Sequence, residues 1–243
     1  MTDPRHLPVL DAKRRFALLN ILVIPGLLAL IAYVSHASGL DLWIESQFFD
    51  PAANTFPARN WHYLELIGHH LAKDAAVVVW VLLLIASIRA ARRADMIPYR
   101  PALWAATISM AAGPLAVVIL KDFNSYHCPW DLKLFGGAFE YAGRWFAPKS
   151  EVGYCFPGGH AASGFSLFAL YFLARQLGKK RLSHWLLLVC ILAGAACSFT
   201  RMWQGAHFLS HNIWTAAICW CVCGIVFLRL QKQPAAILTG SAT

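Results

Sequence analysis

The chain has 243 residues, 58% of them hydrophobic and only 14% charged, with a formal net charge of +9. An average soluble domain carries about a quarter charged residues, so this composition excludes an ordinary soluble enzyme and points to a protein that lives in a bilayer.

Six apolar runs approach the roughly 20 residues that a helix needs to cross a membrane: 16–35, 71–88, 102–120, 156–175, 185–199 and 213–228. The first follows Lys13, Arg14 and Arg15 as a signal peptide would. It is too long for a typical signal core and no clean small-residue cleavage site follows, so it reads as a retained first helix. Between the first and second runs lies a segment with Leu42, Trp43, Ile44, Phe48 and Phe49, an apolar and aromatic set suited to a helix in the membrane interface. Between the third and fourth, residues 121–155 hold Trp130, Gly136, Gly137, Tyr141, Gly143 and Trp145, the composition of a long covering loop. The tail from Gln231 reads as a short disordered end. The expected fold is all-α: a six-helix integral membrane bundle forming one domain over residues 1–243, with an interfacial helix and an outer cover loop.

Lysine and arginine accumulate in cytoplasmic loops. Here 14 of the 21 fall on one set of connections, at residues 5–15, 89–100, 175–181 and 229–232. Both termini are therefore expected in the cytoplasm. The positive surface becomes a collar around the membrane, which argues against nucleic-acid binding. The other side holds Arg59, Lys73, Lys121, Lys133, Arg144, Lys149 and Arg201. On this topology the third run exits at Lys121, the fourth enters at His160 and the fifth exits at Arg201, so three polar motifs meet on the outer face.

Those motifs are Lys121-x6-Cys128-Pro129, Pro157-Gly158-Gly159-His160 and Thr200-Arg201-x5-His207-x3-His211. They resemble the three motifs of the type 2 phosphatidic acid phosphatase and vanadium haloperoxidase superfamily: Lys-x6-Arg-Pro, Pro-Ser-Gly-His and Ser-Arg-x5-His-x3-Asp. The match spans residues 121–211, and the six-run layout resembles the membrane members. The resemblance implies an all-helical lipid phosphatase with its site at the outer end of the bundle, at a bacterial-type inner membrane, and no metal or cofactor. It makes His207 the nucleophile and His160 the general acid, a pairing in which a neutral imidazole attacks phosphorus and an imidazolium protonates the departing oxygen. Lys121 and Arg201 would hold the non-bridging oxygens. Gly158 and Gly159 would let backbone amides approach the phosphate, with Pro157 in the first turn of the fourth helix.

Three positions depart from the pattern: Cys128 stands for an arginine, Gly158 for a serine and His211 for the aspartate that would orient the nucleophile. His211 can still accept a hydrogen bond, Asp122 or Asp131 could bring a carboxylate, and His127 or Lys133 could restore positive charge. Cys190, Cys197, Cys219, Cys221 and Cys223 fall within apolar runs and read as packing residues. Cys128 and Cys155 fall on the outer side, where an oxidising compartment permits a disulfide that would fix the loop. His160, His207 and His211 could also be a zinc set, but Lys121 and Arg201 would repel the cation. His62, His69 and His70 read as interfacial or loop residues, Arg144 and Lys149 as solvated charges, and Trp130 and Trp203 as interfacial rings. Asn124 and Gln204 either line the site or cap helix ends.

The expected substrate is a lipid phosphate presented by the bilayer: phosphatidic acid, phosphatidylglycerol phosphate, a polyprenyl pyrophosphate or a lipid A phosphate. A phosphotransferase that passes the phosphate to a second lipid, and a non-catalytic protein that binds or carries lipid phosphate, are the competing readings. Oligomeric state is left open.

Overall fold

The computed structural model describes residues 7–66 and 71–232; His69, His70 and the tail from residue 233 lie outside them. The architecture is helical, and short isolated bridges such as Asn124–Trp145 and Leu132–Phe139 are the extended pairings among the described residues. The chain opens with α1 (Leu7–Ala17), a π-helical stretch (Leu18–Val23) and α2 (Ile24–Ala37). The widened turn has a local cause: Pro25 stands in the first turn of α2 and has no N–H to return to the carbonyl of Ile21.

A short α3 (Leu40–Ser46) and a single turn, α4 (His62–Glu65), precede α5 (Ala72–Arg92) and α6 (Arg100–Lys121). The long loop leads to α7 (Gly159–Phe165) and α8 (Phe168–Gln176), and the chain closes with α9 (Lys180–Trp203) and α10 (Leu209–Leu228). Among the described residues five helical segments are long and apolar enough to cross a membrane: Ala12–Ala37, Ala72–Arg92, Ala94–Lys121, Lys180–Trp203 and Leu209–Gln231. The protein is thus a multi-pass membrane protein. The fourth expected run is two short helices, α7 and α8, and not one continuous helix. The break falls at Ser166, whose hydroxyl bonds back to the Ser163 carbonyl at 2.8 Å, the local competition that bends helices.

The core lies along α6, α7, α8 and α10. Phe165, Phe168, Phe172, Trp220 and Phe227 pack there with Met110 and Val117. Outside it, Leu22, Leu82, Ile108 and Leu192 are exposed, the surface that hydrocarbon chains cover. A second cluster sits at one end of the bundle, where Phe56, Leu132, Phe135 and Phe208 pack together and Phe49 meets both Phe56 and Phe135 at 5.3 Å between ring centroids. It holds the loops before α4 and after α6 as a cap. The opposite end carries α1 against the turn Arg229–Lys232.

In α3, Trp43 is exposed as an interfacial ring should be, but the opposite face carries Asp41 and Glu45, both fully buried. The two carboxyls stand four residues apart on one helical face and cannot both ionise there. Burial pushes the Asp41 carboxyl up, yet the His36 ring 3.8 Å away and hydrogen bonds from Ser210 and Ser35 outweigh it and hold the group below its ordinary value. Glu45 has no hydrogen-bond partner among the described residues. Burial first, and then the charge of Asp41, push it up to about 10.

A carboxyl whose folded value is raised is protonated inside and ionised in the unfolded chain, so its contribution is complete below about 4.5 and is lost progressively as pH rises toward about 10. Replacing Glu45 with Gln should flatten that loss. Thermal unfolding in detergent across this range is expected to show the wild type falling by up to about 1.4 kcal/mol per pH unit relative to the variant. Parallel curves would exclude a protonated Glu45.

Candidate active site at the capped end of the bundle

The capped end is where α6 and α9 finish and α7 and α10 begin, and Lys121, His160, Arg201 and His207 are each placed by one of those four termini. Lys121 is the last residue of α6. Its ammonium donates to the Tyr154 carbonyl at 3.0 Å and lies 3.5 Å from that of Cys155. A Cβ added at Gly159 would come within 3.2 Å of the Lys121 Cε, so the glycine is the surface on which the lysine rests. Arg201 projects from the last turn of α9 and donates from Nη1 to Gln204 Oε1 at 2.8 Å. Its guanidinium lies 5.8 Å from the Trp130 ring, whose centroid also has the Arg59 guanidinium at 4.6 Å. Trp130 is therefore a support for Arg201 and not a free interfacial ring, and Gln204 lines the site. Trp203 packs edge-on against Trp61.

Beyond α9 the chain reverses at Gly205, whose φ of +70° lies in the left-handed region that favours glycine. The Ala206 N–H bonds back to the Arg201 carbonyl at 2.8 Å and the Trp130 N–H to the Gly205 carbonyl at 2.9 Å. This turn fixes His207, just ahead of α10, relative to Arg201. The His207 and His160 rings then face each other with centroids 6.1 Å apart.

The Pro-Gly-Gly-His turn is clamped to α10. The Gly158 N–H bonds to the His211 carbonyl at 3.2 Å, and the Thr215 hydroxyl contacts the carbonyls of Gly158 and His211, each at 3.0 Å. Pro157 precedes the Gly158 N-cap, so it stands outside the helix and not in its first turn; the Phe156–Pro157 bond is cis. The absence of the serine at 158 has a steric reason. A Cβ there would meet Asn212 Oδ1 at 2.3 Å, and Asn212 is buried with its amide bonded to the Phe208 carbonyl at 3.1 Å. Gly158→Ser alone should destabilise the protein by about 1–3 kcal/mol, measured by thermal unfolding. Gly158→Ser with Asn212→Ala should recover part of that loss relative to Asn212→Ala alone, and equal losses in both backgrounds would remove the clash as the cause.

Cys128 and Cys155 are joined as a disulfide. It ties the start of the covering loop to the segment before Pro157, and its Cys155 sulfur lies 3.3 Å from His207 Nδ1 and 3.2 Å from the Ala206 carbonyl. His211 does not take the position that the sequence suggests for an orienting group. Its ring centroid is 6.1 Å from that of His207, no hydrogen bond joins the two among the described residues, and His211 Nδ1 has no partner there. It packs against Phe156 and Phe208 instead, both 5.2 Å away.

The carboxylates proposed from sequence are elsewhere. Asp122 is exposed at the end of α6, and Asp131 lies in the turn Pro129–Asp131, where its carbonyl receives the Ala138 and Phe139 N–H groups. The acid that reaches this end is Asp41. It accepts the Ser210 N–H at 3.0 Å and the Ser210 hydroxyl in a shorter bond, one residue before His211. Asp41 and Glu45, four apart in an otherwise apolar segment, were the sequence signal for a buried polar face. Lys133 pairs with Glu140 on the surface and His127 stacks on Phe139 at 3.7 Å, so neither supplies the charge missing at Cys128. Arg144 pairs with exposed Glu151. Asn124 is a structural tie, donating to the carbonyls of Leu120 and Phe156 at 2.9 and 2.8 Å.

His207 is 4% exposed. Burial first, then the positive charge of Lys121 and the neighbouring His211, His160 and Arg201, hold its imidazole well below the ordinary histidine value. The ring is a neutral base in a positive pocket, a poor place for a cation and a good one for an oxyanion.

No curated protein and no solved structure matches the chain. The sequence profile of the PAP2 superfamily matches residues 102–235, a stretch that holds Lys121, the Pro-Gly-Gly-His turn, Arg201 and His207, and the chain belongs to that superfamily.

Proposed function

We propose that this protein is an integral membrane phosphatase that removes phosphate from a lipid phosphomonoester or pyrophosphate, with its site on the periplasmic face of a bacterial-type inner membrane. One observation carries the reading. Two imidazoles face each other 6.1 Å apart between the ends of α7 and α9, with Lys121 and Arg201 beside them and His207 held neutral. Simple phosphate binding needs the cations but not the facing pair.

In this scheme the lone pair of His207 attacks phosphorus and His160 gives its proton to the departing lipid oxygen. Lys121 and Arg201 stabilise charge on the non-bridging oxygens, the dominant contribution in phosphoryl transfer. A water activated by His160, now a base, then hydrolyses the phosphohistidine. The exposed leucines and isoleucines of the spans support a capped end at head-group depth, and the cluster of Lys and Arg at the opposite end supports the periplasmic placement.

Purified protein in detergent, given each of phosphatidic acid, phosphatidylglycerol phosphate, a polyprenyl pyrophosphate and a lipid A phosphate, should release inorganic phosphate from at least one of them in the presence of a chelator. Transfer of the phosphate to a second lipid would instead identify a phosphotransferase. Binding without turnover of any of the four would overturn the enzymatic reading.

A further inference from the structure

We infer that the Cys128–Cys155 disulfide is a positioning device for the nucleophile: its Cys155 sulfur fixes which nitrogen of His207 carries the proton, and reducing the bond turns the site off. The inference rests on the reading of His207 as the group that attacks phosphorus.

A neutral imidazole has one N–H and one lone pair, and the partner of one nitrogen decides the state of the other. The buried partner of His207 Nδ1 is the Cys155 sulfur, 3.3 Å away. His211, four residues on, is not bonded to it, and the carboxylate of Asp41 is engaged with Ser210 and Ser35. A disulfide sulfur has no hydrogen, so it can only accept. A proton on Nδ1 is then the one arrangement that makes a hydrogen bond at this contact, and Nε2 keeps the lone pair that attack requires.

Reduction inverts the contact. A small dithiol attacks the half-buried Cys128 sulfur, the S–S bond breaks, Cys155 leaves as thiolate and takes up a proton, and a second thiolate of the reductant closes its own disulfide while freeing Cys128. The Cys155 thiol is now a donor between two acceptors, the Ala206 carbonyl at 3.2 Å and His207 Nδ1 at 3.3 Å. The imidazole nitrogen is the stronger base. If the proton is shared with Nδ1, the ring's own proton sits on Nε2. If it passes across completely, the product is a thiolate and an imidazolium, with the thiolate offsetting the charge that the ring gains. Nε2 is protonated in both cases and cannot attack. Holding the wrong tautomer of a catalytic histidine costs about 10⁴-fold in a serine protease, so a loss of at least about 10-fold is expected here.

The test separates the proton from the cross-link. Cys128→Ala and the double variant Cys128→Ala, Cys155→Ala both lack the bond, and they differ only in whether a thiol faces His207. The proposal expects phosphate release by the single variant to be at least about 10-fold slower in kcat than by the double variant, with little change in KM. Equal rates would reduce the disulfide to a loop restraint and overturn the proposal.

The second measurement needs neither a variant nor activity. Carbethoxylation by diethyl pyrocarbonate requires an unprotonated ring nitrogen that the reagent can reach, and Nδ1 is covered by the Cys155 sulfur, so with the proton moved to Nε2 the His207 peptide, quantified by mass spectrometry, should label several-fold more slowly in protein treated with a dithiol than in oxidised protein, and recover on reoxidation. Equal labelling would overturn the proposal even if the protein released no phosphate from any lipid. In that case the enzymatic reading alone would fall if labelling did respond to the dithiol.

Discussion

Replacing His207 with alanine is expected to lower phosphate release by roughly 10⁴-fold or more, to the level of uncatalysed hydrolysis, because in the proposed mechanism His207 is the group that forms the covalent intermediate. His160 stands 6.1 Å away across the pocket, and His211 is buried behind Phe156 and Phe208. His160→Ala should be milder, roughly 10²- to 10⁴-fold, since a missing general acid only leaves the leaving oxygen unprotonated. The two losses are separable by the leaving group. An aryl phosphate departs without help, so the His160 variant should recover most of its deficit on that substrate while the His207 variant recovers none. Recovery by the His207 variant would reassign the nucleophile.

Arg201 carries the second large effect. Arg201→Ala should cost about 10²- to 10³-fold in kcat, in line with the loss of one preorganised donor to a developing oxyanion. Arg201→Lys keeps the charge but should recover only part of it. The guanidinium is aimed by a bond from Nη1 to Gln204 Oε1 and by the Trp130 ring, and an ammonium can use neither the fork nor the stack in the same way. Lys121→Ala should show a comparable loss, and the two together should be less than additive because both act on one phosphoryl group. A change within about 3-fold for either single variant would mean that the phosphate binds elsewhere.

The features that could be read from the chain were those with a period or a fixed spacing. Five apolar spans, the long covering loop and the three motifs all came from local pattern, and the pairing of Cys128 with Cys155 came from their shared side. The fourth run is apolar throughout yet is not one continuous helix, because hydropathy counts residues and not their hydrogen bonds; Ser166 breaks it from within. Pairings between distant segments carry no such signal. Nothing in the residues around Asp41 says that its carboxylate will reach Ser210, 169 positions away, or that Trp130 will lie beside two guanidinium groups. The departures at 158 and 211 looked like defects when compared with a motif. In the fold, Gly158 makes room for Asn212, and the contact at His207 Nδ1 is occupied by a sulfur rather than by residue 211.

The central claim is that His207 accepts the phosphoryl group. Wild-type protein mixed with a lipid phosphate that it hydrolyses, then quenched in alkali within the first turnover and digested, should yield the peptide containing His207 with one added phosphoryl group, labile to acid and absent from the His207→Ala protein. A phosphoryl group on His160 or His211, or turnover with no labelled peptide at any quench time, would contradict the account.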